Sequence, residues 1–376
     1  MKKILFWAAV TILAAVSCNK IENDAPAQQS NVPSFVASVD GADTKTIIDG
    51  MKSYWNGTEG IRVFDGVLAN GKVYTATVEK VQNATFVEAD ANVAIDETAD
   101  YLAVYPEGPA GSVTWDGNIT SAAKKFWLPG DQIATLNSYD PSTHIAVAYA
   151  ESGDINLNFK NVTALIKVNL VSDNVTEICF YGNNSDVIAG NFDVKYSDGQ
   201  PTWTQGSYTL EYAKVKNNDG SALKKGVYYI SVLPTTLTKG FSIETIAFGA
   251  KGTKKNSKSY SLNRNEILDL ENLSWTPDED ATLEWTKDTE TLTSWWGDVA
   301  YLYVWTDQDE RPLGDWPGTE MNWDGTKFSA KIPKEYIGKK LNFKVHNNNG
   351  WEGDNKVMNP VWYTQSYKGN ADFGLK

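Results

Sequence analysis

Ala164-Leu-Ile-Lys-Val-Asn-Leu170 is a short run of β-forming, mostly apolar residues whose two polar members, Lys167 and Asn169, sit two apart. Such a run reads as a strand rather than a helix. Working outward, the same kind of run recurs on both sides: Gly226-Val-Tyr-Tyr-Ile-Ser-Val-Leu-Pro234 towards the C-terminus, Tyr101-Leu-Ala-Val-Tyr105 and Ile61-Arg-Val-Phe64 towards the N-terminus. Between them lie the turn pairs Asp116-Gly117, Asp198-Gly199 and Asp219-Gly220, the first just after the short strand Ser112-Val-Thr-Trp115. No long helical period interrupts Phe35 to Leu273. Many short strands with frequent turns predict an all-β protein of sandwiches or barrels.

The chain has 376 residues, enough for two or three domains. With 22% charged and 41% hydrophobic residues it can build packed cores. A net charge of −13 repels phosphate backbones and argues against nucleic acid as a partner. The only histidines are His144 and His346, so a His-rich metal site or a histidine-based triad is hard to assemble, and no cofactor is expected. Cys18 and Cys179 supply no disulfide framework. Cys179 lies in Glu177-Ile-Cys-Phe-Tyr181, whose acidic and apolar neighbours predict a buried, unreactive thiol.

Residues 1–17 read as a signal peptide: Met1-Lys2-Lys3, then an apolar run from Ile4 to Val16 too short to span a bilayer well. Ala15-Val16-Ser17-Cys18 resembles a bacterial lipobox. The resemblance implies cleavage before Cys18, lipid on its thiol and attachment to the outer membrane, facing outward. The alternative is an ordinary secretory signal that ends near a cysteine. Residues 18–33 would then be the lipidated Cys and a flexible polar tether. Lys20, Glu22 and Asp24 resemble the acidic export signal of Bacteroidetes surface lipoproteins, though a solvated linker would have the same composition.

Several segments in order resemble Bacteroidetes fimbrillin-like proteins. They are Asp43-Thr-Lys-Thr46, Ser53-Tyr-Trp55, Ile61–Phe64, Tyr101-Leu-Ala-Val-Tyr-Pro106, Asn158-Phe-Lys-Asn-Val-Thr-Ala-Leu-Ile-Lys-Val168, Ala189-Gly-Asn-Phe192, Tyr228–Pro234 and Leu262-Asn-Arg-Asn-Glu-Ile267. Together they span about residues 34–274. The resemblance implies two transthyretin-like β-domains, 34–145 and 146–274. Members of that family polymerise by strand exchange after Arg-specific cleavage near the mature N-terminus. Here the arginines are Arg62, Arg264 and Arg311, Arg62 falls in an apparent strand, and the chain continues for about another hundred residues. A stalk that does not polymerise, or a pilus tip subunit, fits these departures.

Trp275-Thr-Pro-Asp-Glu-Asp-Ala281 reads as a linker. Beyond it composition changes: eight of the 14 Trp lie between Trp285 and Trp362, joined by Tyr301, Tyr303 and Tyr336. Each aromatic needs ~150–250 Å² of cover, so some must reach the surface, where clustered rings mark binding sites. Flat rings accept the C–H face of sugars. Nucleobases also stack but bring phosphates, and residues 282–376 carry 11 basic against 14 acidic residues. Carbohydrate is favoured. In Tyr301-Leu-Tyr-Val-Trp305, Leu302 and Val304 share one face and Tyr301, Tyr303 and Trp305 the other. Pattern alone admits rings towards solvent or towards the core.

Gly314-Asp-Trp-Pro-Gly-Thr-Glu-Met321, Tyr301–Asp307 and Phe343-Lys-Val-His-Asn-Asn-Asn-Gly350 resemble, in order, the motifs of family 26 starch-binding modules. The resemblance implies that 282–376 is an immunoglobulin-like β-sandwich binding starch, maltooligosaccharides or other α-1,4-glucan. It carries over a platform of Trp316 with two of Tyr301, Tyr303 and Trp305, and hydroxyl-bonding candidates Asp354, Asn355 and Lys356. Trp351 either packs or adds a contact, and His346 reads as structural. Asp307 and Asp309 are an i, i+2 pair in a loop, without the cleft-spanning acids that glycoside hydrolysis needs. The expectation is a non-catalytic, cell-surface starch-binding lipoprotein whose partners include other glycan-uptake proteins or pilins. The alternative is a pilus tip or accessory adhesin recognising glycans.

Overall fold

The computed structural model describes residues 34–39, 48–49, 52–53, 55–68, 70–77, 79–81, 83–89, 95–108, 112–286, 299–346, 351–358, 367–368 and 374–375. Cys18, the signal peptide and the tether lie outside the described residues. The protein is all-β, and no α-helix occurs among the described residues.

Seven strands hydrogen-bond into a closed barrel, ordered Phe35–Val39, Asn156–Asn161, Ala146–Ala150, Tyr101–Tyr105, Gly60–Phe64, Lys72–Ala76 and Ala84–Glu88. The first strand closes it, pairing in parallel with Asn156–Asn161 and antiparallel with Ala84–Glu88. Inside, Trp55 meets Phe86 and Tyr105 edge-on at 4.9 and 5.4 Å, and its Nε1 donates to the Ala37 carbonyl at 3.1 Å.

Tyr101–Tyr105 and Ala146–Ala150 are buried at every position. Tyr101, Ala103 and Tyr105 fill the barrel, while Leu102, Val104 and Val147 face outward into a second cluster with Phe126, Leu128, Phe192 and Val194. That cluster corrects the expected boundary at 145/146. Ala123–Leu128 pairs with Ala189–Ser197, and Asp131–Ile133 pairs with Tyr212–Lys216, so residues 123–133 extend the later sheets. Ala146–Ala150 and Asn156–Asn161 instead complete the barrel. The reason is burial: the apolar outer wall of the barrel is covered by the sheet that 123–128 joins. Beyond it, Ala164–Leu170 with Gly226–Val232 and Ile267–Leu273 packs against the sheet holding Val175–Gly182 and Phe241–Ala247. The turn Asp198-Gly199, both at positive φ, closes the hairpin of Ala189–Ser197 and Gln200–Leu210.

The C-terminal part has two sheets. One contains Asn322–Trp323, Phe328–Ile332 and Ala281–Thr286; the other contains Thr319–Glu320, Tyr301–Trp305, Leu341–His346 and Trp351–Met358. Leu283, Trp285, Phe328, Leu302, Val304, Phe343 and Val345 fill the space between them.

Residues 275–281, expected as a linker, are held at both ends. Trp275 packs against the core of the preceding sheets and that of the C-terminal sandwich, as does Phe248, with ring centroids 5.6 Å apart. Asp278 accepts from Thr253 N at 2.8 Å and Oγ1 at 2.6 Å, and Asp280 accepts from Lys334 N at 3.0 Å. Two of the three acidic residues that signal a solvated linker, Asp278 and Asp280, are here accepting backbone hydrogen bonds.

Candidate functional site

Tyr301–Trp305 has Leu302 and Val304 buried and Tyr301, Tyr303 and Trp305 half-buried on the opposite face. Its neighbour Leu341–His346 alternates the same way. Antiparallel register sets His346 beside Tyr301, Lys344 beside Tyr303 and Asn342 beside Trp305. Three rings therefore alternate across the strand pair with an imidazole, an ammonium and an amide.

Above this face stands the loop that ends in Trp316-Pro317-Gly318. The turn closes by Gly318 N donating to the Asp315 carbonyl at 2.8 Å. Gly318 has φ +83, and a Cβ there would lie 2.2 Å from the Leu302 carbonyl oxygen. Only glycine lets the turn sit so close to the strand. Trp316 is 42% exposed, stacks on His346 at 3.8 Å with 16° between planes, and meets Tyr303 edge-on at 5.6 Å and 71°. Tyr303 and Trp305 lie 5.4 Å apart at 29°. His346 is fully buried, its Nε2 2.9 Å from the Pro317 carbonyl, and it also stacks on Tyr301 at 5.7 Å. Burial holds its pKa below the ordinary 6.5, with Lys344 adding to the shift and the Pro317 hydrogen bond opposing it. A neutral imidazole thus backs the exposed indole.

Residues 306–315 are braced by Arg311, which donates to Asp315 at 2.8 Å and to both Asp309 oxygens at 3.1 Å. Asp307 accepts from Asn342 and Lys340, each at 3.1 Å, and these bonds lower its pKa. The rim at the Trp305 end is therefore polar and charge-balanced. Asp354, Asn355 and Lys356 lie in Trp351–Met358, which pairs with Leu341–His346; their side chains fall outside the described residues. Trp285, by contrast, is a core ring stacked on Phe328 at 5.3 Å. Asn342 and Lys344 escaped the sequence reading, although the alternation of Leu341-Asn-Phe-Lys-Val-His346 was a readable signal. Their adjacency to the rings depends on register, which the sequence does not print. A shallow groove of about 380 Å³ on the other side, lined by Thr282, Asn322, Ser329 and Lys331 among others, has no aromatic lining.

No family model matches the chain, and no curated protein matches it. Among solved structures it is similar to candidate cell adhesion proteins from Bacteroides ovatus and Bacteroides uniformis. Each is 12% identical and covers 64% of this chain, with 91% and 93% of their own lengths and TM-scores of 0.36 and 0.38. A C-terminally truncated tip fimbrial protein from Porphyromonas gingivalis is 10% identical over 66% of this chain and 97% of its own, with a TM-score of 0.29. Overlaps this loose carry no argument about what this chain binds.

Proposed function

We propose that this chain is a non-catalytic surface adhesin that recognises neutral glycan through the ring-bearing face of its C-terminal sandwich, with α-1,4-glucan as that glycan. The observation that carries the reading is Trp316: a large exposed indole held by a tight turn beside Tyr303 and Trp305, on the sheet face away from the core. Rings offer the C–H face of a sugar a partner that water does not replace, and Asn342, Lys344 and Asp307 border them for hydroxyls. The 71° between Trp316 and Tyr303 makes a bent cradle rather than a flat strip. A curved chain such as starch suits that better than a flat ribbon.

Binding proceeds without a chemical step. Asp307, Asp309 and Asp315, carboxylates of the bordering loop, are each tied to a cation. The N-terminal β-units act as the stalk, and lipid at Cys18 attaches it to the outer membrane. Neighbouring glycan-uptake proteins or pilins are the partners this arrangement calls for; copurification separates a starch-holding protein from a pilus accessory. Affinity electrophoresis against a polysaccharide panel tests the reading. Amylopectin should retard the protein and a cellulose derivative should not, and free passage through every gel refutes it.

A further inference from the structure

Among the described residues, two aromatic side chains rank as exposed: Trp316 and Tyr208, the latter at 56%. The first belongs to the cradle above. Tyr208 lies far away in sequence, on the edge strand Gln200–Leu210 of a three-stranded sheet with Ala189–Ser197 and Ala123–Leu128. One face of that sheet, through Phe126, Leu128, Phe192 and Val194, covers the barrel. Trp127 and Asn191, paired across neighbouring strands, alternate onto the opposite face.

On the other side of Asn191 the register breaks. Pairing passes from Phe192 with Gln205 to Gly190 with Thr209, so Gly206, Ser207 and Tyr208 lie opposite Asn191 alone. Two glycines allow it. At Gly190, φ is +115 and a Cβ would lie 2.4 Å from the Tyr208 carbonyl oxygen; at Gly206 a Cβ would lie 2.7 Å from that of Asn191. Bulges of this kind re-aim a side chain. The outcome is that Tyr208 leans to Trp127, with centroids 5.8 Å apart and planes at 37°, although Asn191's strand separates theirs. Backbones two strands apart are roughly 9–10 Å from each other. A ring pair serving sheet stability alone needs only adjacent strands in regular register. Here the sheet is distorted and two rings from strands two apart meet, with Asn191 on the strand between them. The edge strand itself, Gln200–Leu210, carries no charged residue.

We infer that Trp127, Asn191 and Tyr208 form a second neutral-glycan site, placed on the stalk, so that one chain grips a polysaccharide at two points. Two inclined rings take the C–H faces of a sugar, the Asn191 amide lies at hand for its hydroxyls, and Thr204, on the same face two residues along, extends the polar border. The inference rests on reading the protein as a glycan binder, and the experiment separates the two.

The full chain, Trp316→Ala, Tyr208→Ala, Tyr208→Phe and the Trp316→Ala/Tyr208→Ala double variant are applied to an array of neutral gluco-, manno-, xylo- and galacto-oligosaccharides. Tyr208 is mostly exposed, so its replacement should leave thermal melting unchanged. Trp316→Ala should retain binding to at least one oligosaccharide, and adding Tyr208→Ala should weaken that binding about tenfold or more, the scale of one lost stacking ring. Tyr208→Phe should keep it. Residual binding indifferent to Tyr208→Ala, or no binding left in Trp316→Ala, overturns the second site and leaves the C-terminal cradle standing. A wild-type chain that binds nothing on the array overturns both.

Discussion

Replacing Trp316 by Ala removes the exposed ring of the cradle and uncovers His346. The two effects have separate magnitudes. Stacking on a planar ligand face is worth ~1–3 kcal/mol per ring, with nucleobase stacking as the measured analogue. At ~1.4 kcal/mol per decade that is about a fivefold to hundredfold loss of affinity. On the stability side, a fully buried aromatic hides ~150–250 Å². With Trp316 42% exposed, roughly 90–145 Å² is covered, worth about 2–4 kcal/mol at ~25 cal/mol per Å² as an upper bound. The sandwich should therefore melt earlier yet remain folded at room temperature. Leu302→Ala makes the contrast: that side chain is fully buried, so its loss costs ~2–5 kcal/mol and leaves the ring face in place. The assay pairs thermal melts with calorimetric titration by maltoheptaose on the same samples. A folded Trp316→Ala chain that binds as tightly as wild type refutes the cradle, as does a Leu302→Ala chain that stays folded and loses affinity as steeply.

Gly318→Ala should weaken maltoheptaose binding about as much as Trp316→Ala while leaving the indole in place, because the new Cβ meets the Leu302 carbonyl and pushes the turn off the strand; intact binding would show that the turn geometry is irrelevant. His346 is held neutral below the ordinary 6.5, so as pH falls through about 6.5 the unfolded chain gains a proton before the folded one does. Stability from this residue is complete above that pH and declines below it towards the folded pKa, and melts of wild type and His346→Gln between pH ~7.5 and ~5.5 should diverge in slope. Cys179, pushed up to about 12 by burial and then by Glu177, should resist iodoacetamide at pH ~8 until denaturant is added. Gly338→Val should loosen the junction, since φ is +84 and a Cβ would lie 2.5 Å from the Phe248 ring; faster proteolysis within 275–281 is the readout.

The strands were legible where periodicity is local. Tyr301–Trp305 and Ala164–Leu170 are strands over the ranges their alternation or apolar runs mark. Alternation sorted Leu302 and Val304 from the three rings but could not say which set faces water. That depends on the turn 315–318 lying over the ring face, a contact made by residues over ten positions away. The boundary near 145 failed for a related reason. Ala123–Leu128 and Ala146–Ala150 are both strands, and nothing local in either tells which sheet it joins. One clue was present: a run with no polar member, such as Tyr101-Leu-Ala-Val-Tyr105, needs cover on both faces, and the outer cover is the sheet that Ala123–Leu128 enters.

The packing of segment 275–281, read as a linker, bears on what the two proposed ring clusters can do together. Trp275 and Phe248 belong to the cores on both sides of the junction, and Asp278 and Asp280 hold backbone groups on each. A C-terminal sandwich on a flexible tether would search for its ligand alone, and a second site on the stalk would add only a weak local concentration. With the junction packed, the separation of the two ring clusters is set by the fold. Linked sites gain most when their spacing matches the span of the ligand and gain nothing when it cannot be bridged. The expected signature is selectivity for length: Tyr208→Ala should weaken binding of a long polymer far more than of a short oligosaccharide that fills the Trp316 cradle alone. Gly338→Val, by loosening the packed junction, should erode that length preference while sparing the short-ligand affinity. Equal losses for both ligand lengths in Tyr208→Ala would mean that the two clusters do not act on one chain of sugar.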